Sequence, residues 1–468
     1  MDASSSPNPQ PDSAAREPHL GWALLPVVLL VAALSFIIIE LGQDPHVPII
    51  LGAVVAALVG WRHGYSWDSM QMGVVRAISV VVPAIIILML IGIMIGLWIS
   101  GGVVPLMIHT GLQVLSPSGF LPAACILCAV VSLATGSSWT TAGSVGIALI
   151  GVGNGLGVSP AMSAGAIVSG AYFGDKMSPL SDSTNLAPAV VGAELIDHIK
   201  HMIFTTGPSF ILALVAFFFL GLKAESSGSD LGEIQGILTT LEGAFSLNPI
   251  LWAAPIVVFG MVAMRVPAIP ALFCGGLIGA IFSIVFEGSD LTTVLSISWG
   301  GYAAETGVVE LDGLLSNGGM DSMMWTISLI LCASTFGGLM ECTGMLRSIG
   351  KSVLSLARSR GALVSTTAAT AVGTNFMAAD QYLAIILPGR MFRQAYEEKG
   401  LHPVNLSRVL EDTGTLTSPL IPWNTCGATM AAALGVATGE YWIFCLFNLI
   451  NPAVSILYGF TGWTFRKV

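Results

Sequence analysis

Charge is what this sequence has least of. Of its 468 residues only 9% are Asp, Glu, Lys or Arg, where a soluble domain carries roughly a quarter. Positions 77 to 174 hold none of these four residues, and 54% of the chain is hydrophobic. A soluble binding module is excluded on that ground. Dense basic clusters are also missing and the net charge is −10, so no nucleic-acid partner is expected. Cys125 and Cys128 form a CxxC with no matching Cys or His pair nearby; in AACILCAV they read as small packing residues, not a metal or redox site. No Tyr-Asp dipeptide occurs, and YFGD (172–175) has Tyr172 where a GxGD motif needs glycine. An intramembrane aspartyl protease is therefore disfavoured, and no enzyme activity is expected. The N-terminal tail (1–19) lacks the pattern of a cleaved signal peptide; rich in Ser, Pro and Ala, it is expected to be disordered.

What remains is an all-α polytopic membrane protein. Fifty-four glycines suit helices that approach closely in lipid, and several apolar runs reach the length needed to span a hydrocarbon core. Crossings are expected near 21–41, 47–61, 79–99, 161–192, 202–222, 249–264, 268–286, 323–343, 404–437 and 441–461. Two more apolar stretches, 119–152 and 362–389, are interrupted by TGSSWTTAG (135–143) and VGTNFMAAD (372–380). Each reads as a re-entrant hairpin folding back at a polar tip, tolerated at membrane depth only when buried in protein or lining a cavity. Arg62, Arg76, Arg347 to Arg408, and Arg466 with Lys467 fall on the cytoplasmic side by the positive-inside rule, and both termini with them. The acidic linker 223–248 and the loop 287–322 then lie outside.

The halves, 20–222 and 249–468, repeat. GLWISGG starts at Gly96 and GLMECTG at Gly338; Gly136 pairs with Gly373; SPL recurs at Ser178 and Ser418. Five crossings per half make the two repeats inverted, the arrangement of secondary transporters whose substrate sits at the repeat interface. Within it, GDKMSPLSDSTN (174–185) places two carboxylates and a lysine beside Pro179. The crossing 161–192 should unwind near 176–185, and its mate EDTGTLTSPLIPWNTCGA (411–428) around Gly414, Pro419 and Pro422.

Such oxygen-rich breaks suit a small hard cation. The ionisable candidates are Asp175, Asp182, Asp380 and Asp412, since carboxylates within membrane segments are costly and functional by default. Of the neighbours Glu411 and Asp412 only one is expected to face the site, and Asp412, nearer the break, is preferred. Coordinating oxygens are expected from Ser137, Ser138, Thr141, Ser178, Thr184, Asn185, Thr374, Asn375, Thr415, Ser418, Asn424 and Thr425. The expected sodium site is Ser178, Asp182, Asn185, Asn375 and Asp412, with Asp182 and Asp412 trading sodium for a proton. Competition of proton and sodium for one carboxylate is the coupling device of a cation/proton antiporter. Blander roles stand beside these. Lys176 can simply offset Asp175, Asp380 can cap a hairpin arm, the Ser/Thr residues of the first tip can satisfy its backbone, and Trp139 and Trp423 can pack the tips. His109, His198 and His201 read as interfacial.

FGDKMSPLSDSTNLAP (173–188) closely resembles the signature of the NhaC family of sodium/proton antiporters; TGSSWTTAGSVG, GLWISGG and SPLIPWNTCGA resemble that family's segments too. The resemblance covers roughly 20–460, and Asp175, Ser178, Asp182, Thr184 and Asn185 fall in the matched signature. Ser183 stands where a Thr is expected. The resemblance implies a bacterial inner-membrane antiporter of sodium and protons, without cofactor. Its scaffold and transport domains would move in an elevator-like manner, and it would form a homodimer through the scaffold. The same family includes exchangers of malate for lactate coupled to sodium and protons. With Lys176 the one obvious cation at depth, cation/proton exchange is the preferred activity and organic-acid exchange the alternative.

Overall fold

The computed structural model describes residues 16–41, 43–225, 231–264 and 266–468; the expected disordered tail lies largely outside them. The described chain is helical, with one isolated bridge between Leu401 and Lys467. Helices α1 (Leu20–Leu34), α2 (His46–Arg62), α3 (Trp67–Ser100) and α4 (Val103–Val114) come first. The first hairpin follows: α5 (Pro117–Thr135), a turn at Gly136 and Ser137, α6 (Ser138–Thr141), a π-helical stretch (Ala142–Gly146) and α7 (Ile147–Gly155). Next come α8 (Pro160–Met177) and α9 (Asp182–Val191), two pieces of a broken helix, then the long α10 (Leu195–Glu225).

The acidic linker contains α11 (Leu231–Ala244). Beyond it lie α12 (Ala253–Ala263), α13 (Ala268–Phe286), α14 (Leu291–Gly300), α15 (Val309–Leu315), α16 (Met324–Cys342) and α17 (Met345–Leu354). The second hairpin is α18 (Arg360–Ala378) and α19 (Gln381–Glu398). Its broken-helix neighbour comprises α20 (Pro403–Leu410), a π-helical turn (Glu411–Thr415), a short 3-10 turn (Ser418–Leu420) and α21 (Thr425–Leu434); α22 (Thr438–Tyr441) and α23 (Leu446–Thr461) close the chain.

Six of these helices are long and apolar enough to cross a bilayer, eight if each of two bent pairs counts as one span. One of the six, Pro117–Thr135, is an arm of the expected hairpin 119–152 and not an expected crossing. The expected crossings outside the eight are 47–61, where α2 has 17 residues, and 161–192 and 404–437, which are interrupted by polar breaks between α8 and α9 and between α20 and α21. The chain is a polytopic helical membrane protein.

The ends of the elements follow from local chemistry. Ser116, Ser137, Ser181, Ser359, Asp380 and Asn424 precede helices, and each side chain accepts a backbone N–H of the first turn, satisfying one of the donors a helix start leaves unpaired. Pro117, Pro160 and Pro403 occupy first-turn positions, where a missing N–H is harmless. These boundaries recur at a constant offset of 243 residues: Ser116 with Ser359, Ser137 with Asp380, Ser159 with His402, Ser181 with Asn424. The expected match of Gly136 with Gly373 is corrected by that register. Gly373 lies inside α18, and the left-handed turn residue equivalent to Gly136 (φ 70) is Ala379 (φ 55). Gly136 needs to be glycine for a second reason as well, since a Cβ there would lie 2.7 Å from the Leu180 carbonyl carbon.

Packing ties the first hairpin to the first broken helix. Gly170 and Gly174 of α8 lie directly on the backbone of α5, at the carbonyls of Cys125 and Ala129, with no room for a Cβ. Cys125 and Cys128 are fully buried there, so the CxxC is packing material.

Candidate functional site

A cavity of about 590 Å³ lies where the two hairpin tips and the two broken helices converge. The first tip contributes Ser137 and Ser138, the first break Asp175, Ser181, Asp182 and Ser183, the second tip Gln381 and Tyr382, and α21 Thr425. A wall from α3 (Val80 to Ile87) and residues 266–269 completes it. Asp182 is exposed, so the cavity is open to the surroundings.

Asp175 closes the last turn of α8, and its Oδ2 accepts both the backbone N–H (3.0 Å) and the hydroxyl (2.6 Å) of Ser138. Both donors fall on one oxygen, which fixes the Asp175 carboxyl against the first hairpin tip. The chain then breaks at 178–181, inside the expected window. Thr184 Oγ1 donates to the carbonyls of Asp175 and Lys176 (3.2 and 2.9 Å) and Asn185 Nδ2 to those of Pro179 and Ser181 (2.9 and 2.7 Å). Ser178 Oγ accepts from the Leu180 N–H at 3.2 Å. These three side chains serve the break itself.

The second break is built differently. Asn375 Nδ2 donates to the Gly414 carbonyl (2.5 Å) and to Thr417 Oγ1 (3.0 Å), while Asn424 Nδ2 donates to Asn375 Oδ1 (3.2 Å). The Thr425 N–H donates to the Ala379 carbonyl at 3.0 Å. Ser418 Oγ donates to Gln381 Oε1 (3.0 Å) and to the Thr415 carbonyl (2.7 Å). Asp380 is buried and caps α19 by accepting the Leu383 N–H (2.8 Å). Thr141 and Thr374 donate back into their own helices. Trp423 packs its ring edge-on against Phe376 at 4.6 Å.

Lys176 does not pair with Asp175. Its Nζ turns away from the cavity and pairs with Asp412 Oδ1 of the second broken helix, with Asn451 Oδ1 at 3.3 Å. Thr205 of α10 donates to the same Asp412 oxygen (3.1 Å). Arg408, one turn before Asp412, has its Nε 3.9 Å from Asp412 Oδ2 and its guanidinium 5.0 Å over the Phe465 ring, and it donates to Thr464 (2.8 Å). Lys176, Arg408, Glu411 and Asp412 are all completely buried, so Lys176 is not the one cation at depth and Glu411 is as interior as Asp412. His198 and His201 are buried too, His198 against Ser407 at 2.8 Å. His109 pairs with the exposed Glu242 at 2.9 Å.

The expected site residues thus divide. Asp175, Asp182, Ser137, Ser138 and Thr425 line one cavity; Asp412 belongs to a dry ion cluster behind it; Asn375, Asn424 and Ser418 brace the second break. Asp182 and Asn185 are exposed while Asp412 is fully buried. None of the hydrogen bonds among the described residues joins Ser178, Asp182 or Asn185 to Asn375 or Asp412, and no group of three or more His, Cys, Asp or Glu suited to a metal occurs among them. Sequence reasoning missed Arg408, Thr205, Asn451, Gln381 and Tyr382. The Arg408/Asp412 spacing of four, one helical turn, was the available signal.

Paired hairpin tips and broken helices around an acidic cavity, in a polytopic helical chain, define a membrane transporter. The sequence model of the Na+/H+ antiporter family matches residues 170–463, and the chain belongs to that family. Among its curated relatives, the Na(+)/H(+) antiporter NhaC of Alkalihalophilus pseudofirmus is 38% identical, covering 95% of this chain and 96% of the relative. The arginine/ornithine antiporter ArcD of Halobacterium salinarum is also 38% identical, over 96% and 93%. The malate-2H(+)/Na(+)-lactate antiporter of Bacillus subtilis is 35% identical, over 93% of each chain.

Proposed function

We propose that this protein exchanges sodium for protons across a bacterial cell membrane by alternating access, and that the cavity at the hairpin tips is where the cation enters. The observation that carries the reading is the cavity's chemistry. It presents Asp175 and Asp182 together with hydroxyls of both halves, and among its described lining residues there is no Lys, Arg or His. Such a lining attracts cations. It disfavours a dicarboxylate such as malate, which would need anion-binding groups.

The constant offset between the two sets of helix boundaries supports two repeats, 20–222 and 249–468, each with one hairpin and one broken helix. The positive-inside expectation makes them inverted. Contacts among the basic segments support the orientation. Glu17 pairs with Arg347 and Lys351, the Arg16 N–H donates to the His63 carbonyl, Lys399 to that of Arg358, and Arg466 pairs with Asp197. One face therefore gathers 16–17, 62–63, 347–358, 399–402 and 466–468, and this is the face we assign to the cytoplasm. The cavity wall includes the middle of α3, about halfway along a helix that starts from that face. An elevator motion of hairpins and broken helices against the remaining helices is the simplest way to expose the cavity to each side in turn.

A second reading rests on size. A volume of about 590 Å³ is far more than one sodium ion fills, and an organic cation of the arginine or ornithine type fits both the space and the two carboxylates. The deciding experiment uses protein in sealed vesicles with a trapped pH dye and an acidic interior. Sodium added outside should collapse the gradient in the parent protein and not in Asp175→Asn or Asp182→Asn. Collapse by arginine or ornithine but not sodium would favour the second reading, and collapse only with malate outside and lactate trapped inside would overturn both.

A further inference from the structure

Five carboxylates sit at or near the site, and four of them have fixed partners or water. Asp182 is exposed; Asp175 is held by Ser138, Asp380 by the Leu383 N–H, and Asp412 by Lys176 and Thr205. Glu411 is the exception. It is fully buried, and neither carboxyl oxygen has a hydrogen-bond partner. Among the described buried residues no other carboxylate has both oxygens in that condition.

The groups that face it can be named element by element. Arg408 and Asp412 share its own helix, with Thr415 one turn on. Lys176 and Asp175 face it from α8 and Ser183 from α9. His198 of α10 lies within electrostatic reach of the same Lys176 and Arg408. Lys176 is engaged with Asp412 and Asn451, while Arg408 donates to Thr464, lies over the Phe465 ring and approaches Asp412 at 3.9 Å, its Nε and one terminal nitrogen having no hydrogen-bond partner. Neither cation forms an ion pair or hydrogen bond with Glu411, so an ionised Glu411 would stand without a direct partner. Burying a lone carboxylate is prohibitive, and the group instead binds a proton or draws in a cation.

We propose that Glu411, behind the cavity rather than on its wall, is the carboxyl that carries the transported proton; this rests on the antiport reading above. Ser183 provides the connection. It lines the cavity, lies beside Glu411, and its Oγ is 3.2 Å from Ser181 Oγ, which lines the cavity as well. In the exchange the Glu411 O–H bond breaks, the proton passes by the two hydroxyls to cavity water, and the carboxylate left behind is neutralised by one entering cation. The reverse step restores the acid and frees the cation. The Lys176–Asp412–Arg408 cluster holds the two broken helices together.

Infrared difference spectroscopy on the full protein in vesicles tests this without relying on transport. In sodium-free neutral buffer the parent protein should show the carbonyl stretch of a buried protonated carboxyl, absent in Glu411→Gln and lost from the parent when sodium chloride is added. In the vesicle assay Glu411→Gln should abolish sodium-driven proton movement with its thermal midpoint unchanged, because Gln is isosteric with the neutral acid. Glu411→Asp should retain exchange with a displaced pH profile. A carbonyl band that survives in Glu411→Gln, or a Gln variant that exchanges with the parent's pH profile, overturns the proposal. A band that belongs to Glu411 but does not respond to sodium overturns the sodium reading and leaves the proton carrier in place.

Discussion

The two broken helices start from matching caps and end with opposite chemistry. In the first, the carboxylates bracket the break: Asp175 ends one arm, Asp182 begins the next, and both border the cavity. In the second, the break itself is neutral, braced by Asn375, Asn424 and Ser418, and the carboxylates Glu411 and Asp412 lie a turn or more before it, out of contact with water. Lys176 is the exception that joins them, a cation on the first helix whose partner is an anion on the second. In the proposed cycle the wet pair admits the cation, while the dry pair divides into a proton carrier, Glu411, and an anion held by Lys176, the one buried ion pair that joins the two broken helices.

The largest test of this division removes the join. Lys176→Met leaves Asp412 without its main partner and should cost about 3–5 kcal/mol, the usual penalty for breaking a buried pair, read as a fall in thermal midpoint. The double variant Lys176→Met with Asp412→Leu should recover most of that loss; a double variant as unstable as the two singles combined would show that the pair does not couple the halves. Next in size, Ser138→Ala removes the 2.6 Å hydroxyl bond to Asp175. A charge-assisted bond is worth about 1.5–3 kcal/mol, so the half-saturating sodium concentration should rise about ten-fold or more, while an unchanged value would separate Asp175 from the cation path.

The hairpin tips extend the comparison to the backbone. Gly136→Ala puts a methyl group against Leu180 in a left-handed turn and should cost upwards of ~1–2 kcal/mol. Ala379→Gly, at the matching turn of the second hairpin, relieves the same conformational penalty and should leave stability within ~1 kcal/mol of the parent. Equal responses at the two tips would deny their equivalence. The smallest effect is expected at the exposed face. Lys351 first, and burial and Arg347 after it, set the Glu17 carboxyl, with a net result below its ordinary value of 4.5. The folded-state value being the lower one, its stabilisation is present above the ordinary value and disappears as pH falls through the folded one. With its partners well exposed, Glu17→Gln should cost under ~1 kcal/mol near neutrality, and in acid the two proteins should melt together.

Much of this arrangement was legible from polar residues standing in apolar runs. TGSSWTTAG, VGTNFMAAD and GDKMSPLSDSTN cannot continue an ordinary membrane helix, and the structure turns or breaks at each. Register was less legible: SPL recurs at Ser178 and Ser418, three residues out of step with the helix caps, because identical tripeptides need not occupy equivalent turns. Partners across the chain were not legible. Nothing local tells that Lys176 passes over Asp175 to reach Asp412. Nor could an ordinary helical spacing foresee that Glu411 and Asp412 are both interior. The turn they open is π-helical, which changes the angular step between neighbours and lets the protein bury both.

The seam between α5 and α8 has a mechanical meaning. Where Gly170 and Gly174 bring one backbone against another there is no layer of side chains to act as a bearing, and neither surface can slip along the other without backbone atoms colliding. The first hairpin and the first broken helix are in effect riveted. In the alternating-access cycle proposed above that unit would move as a whole, and the sliding surfaces are to be sought where longer side chains separate the helices.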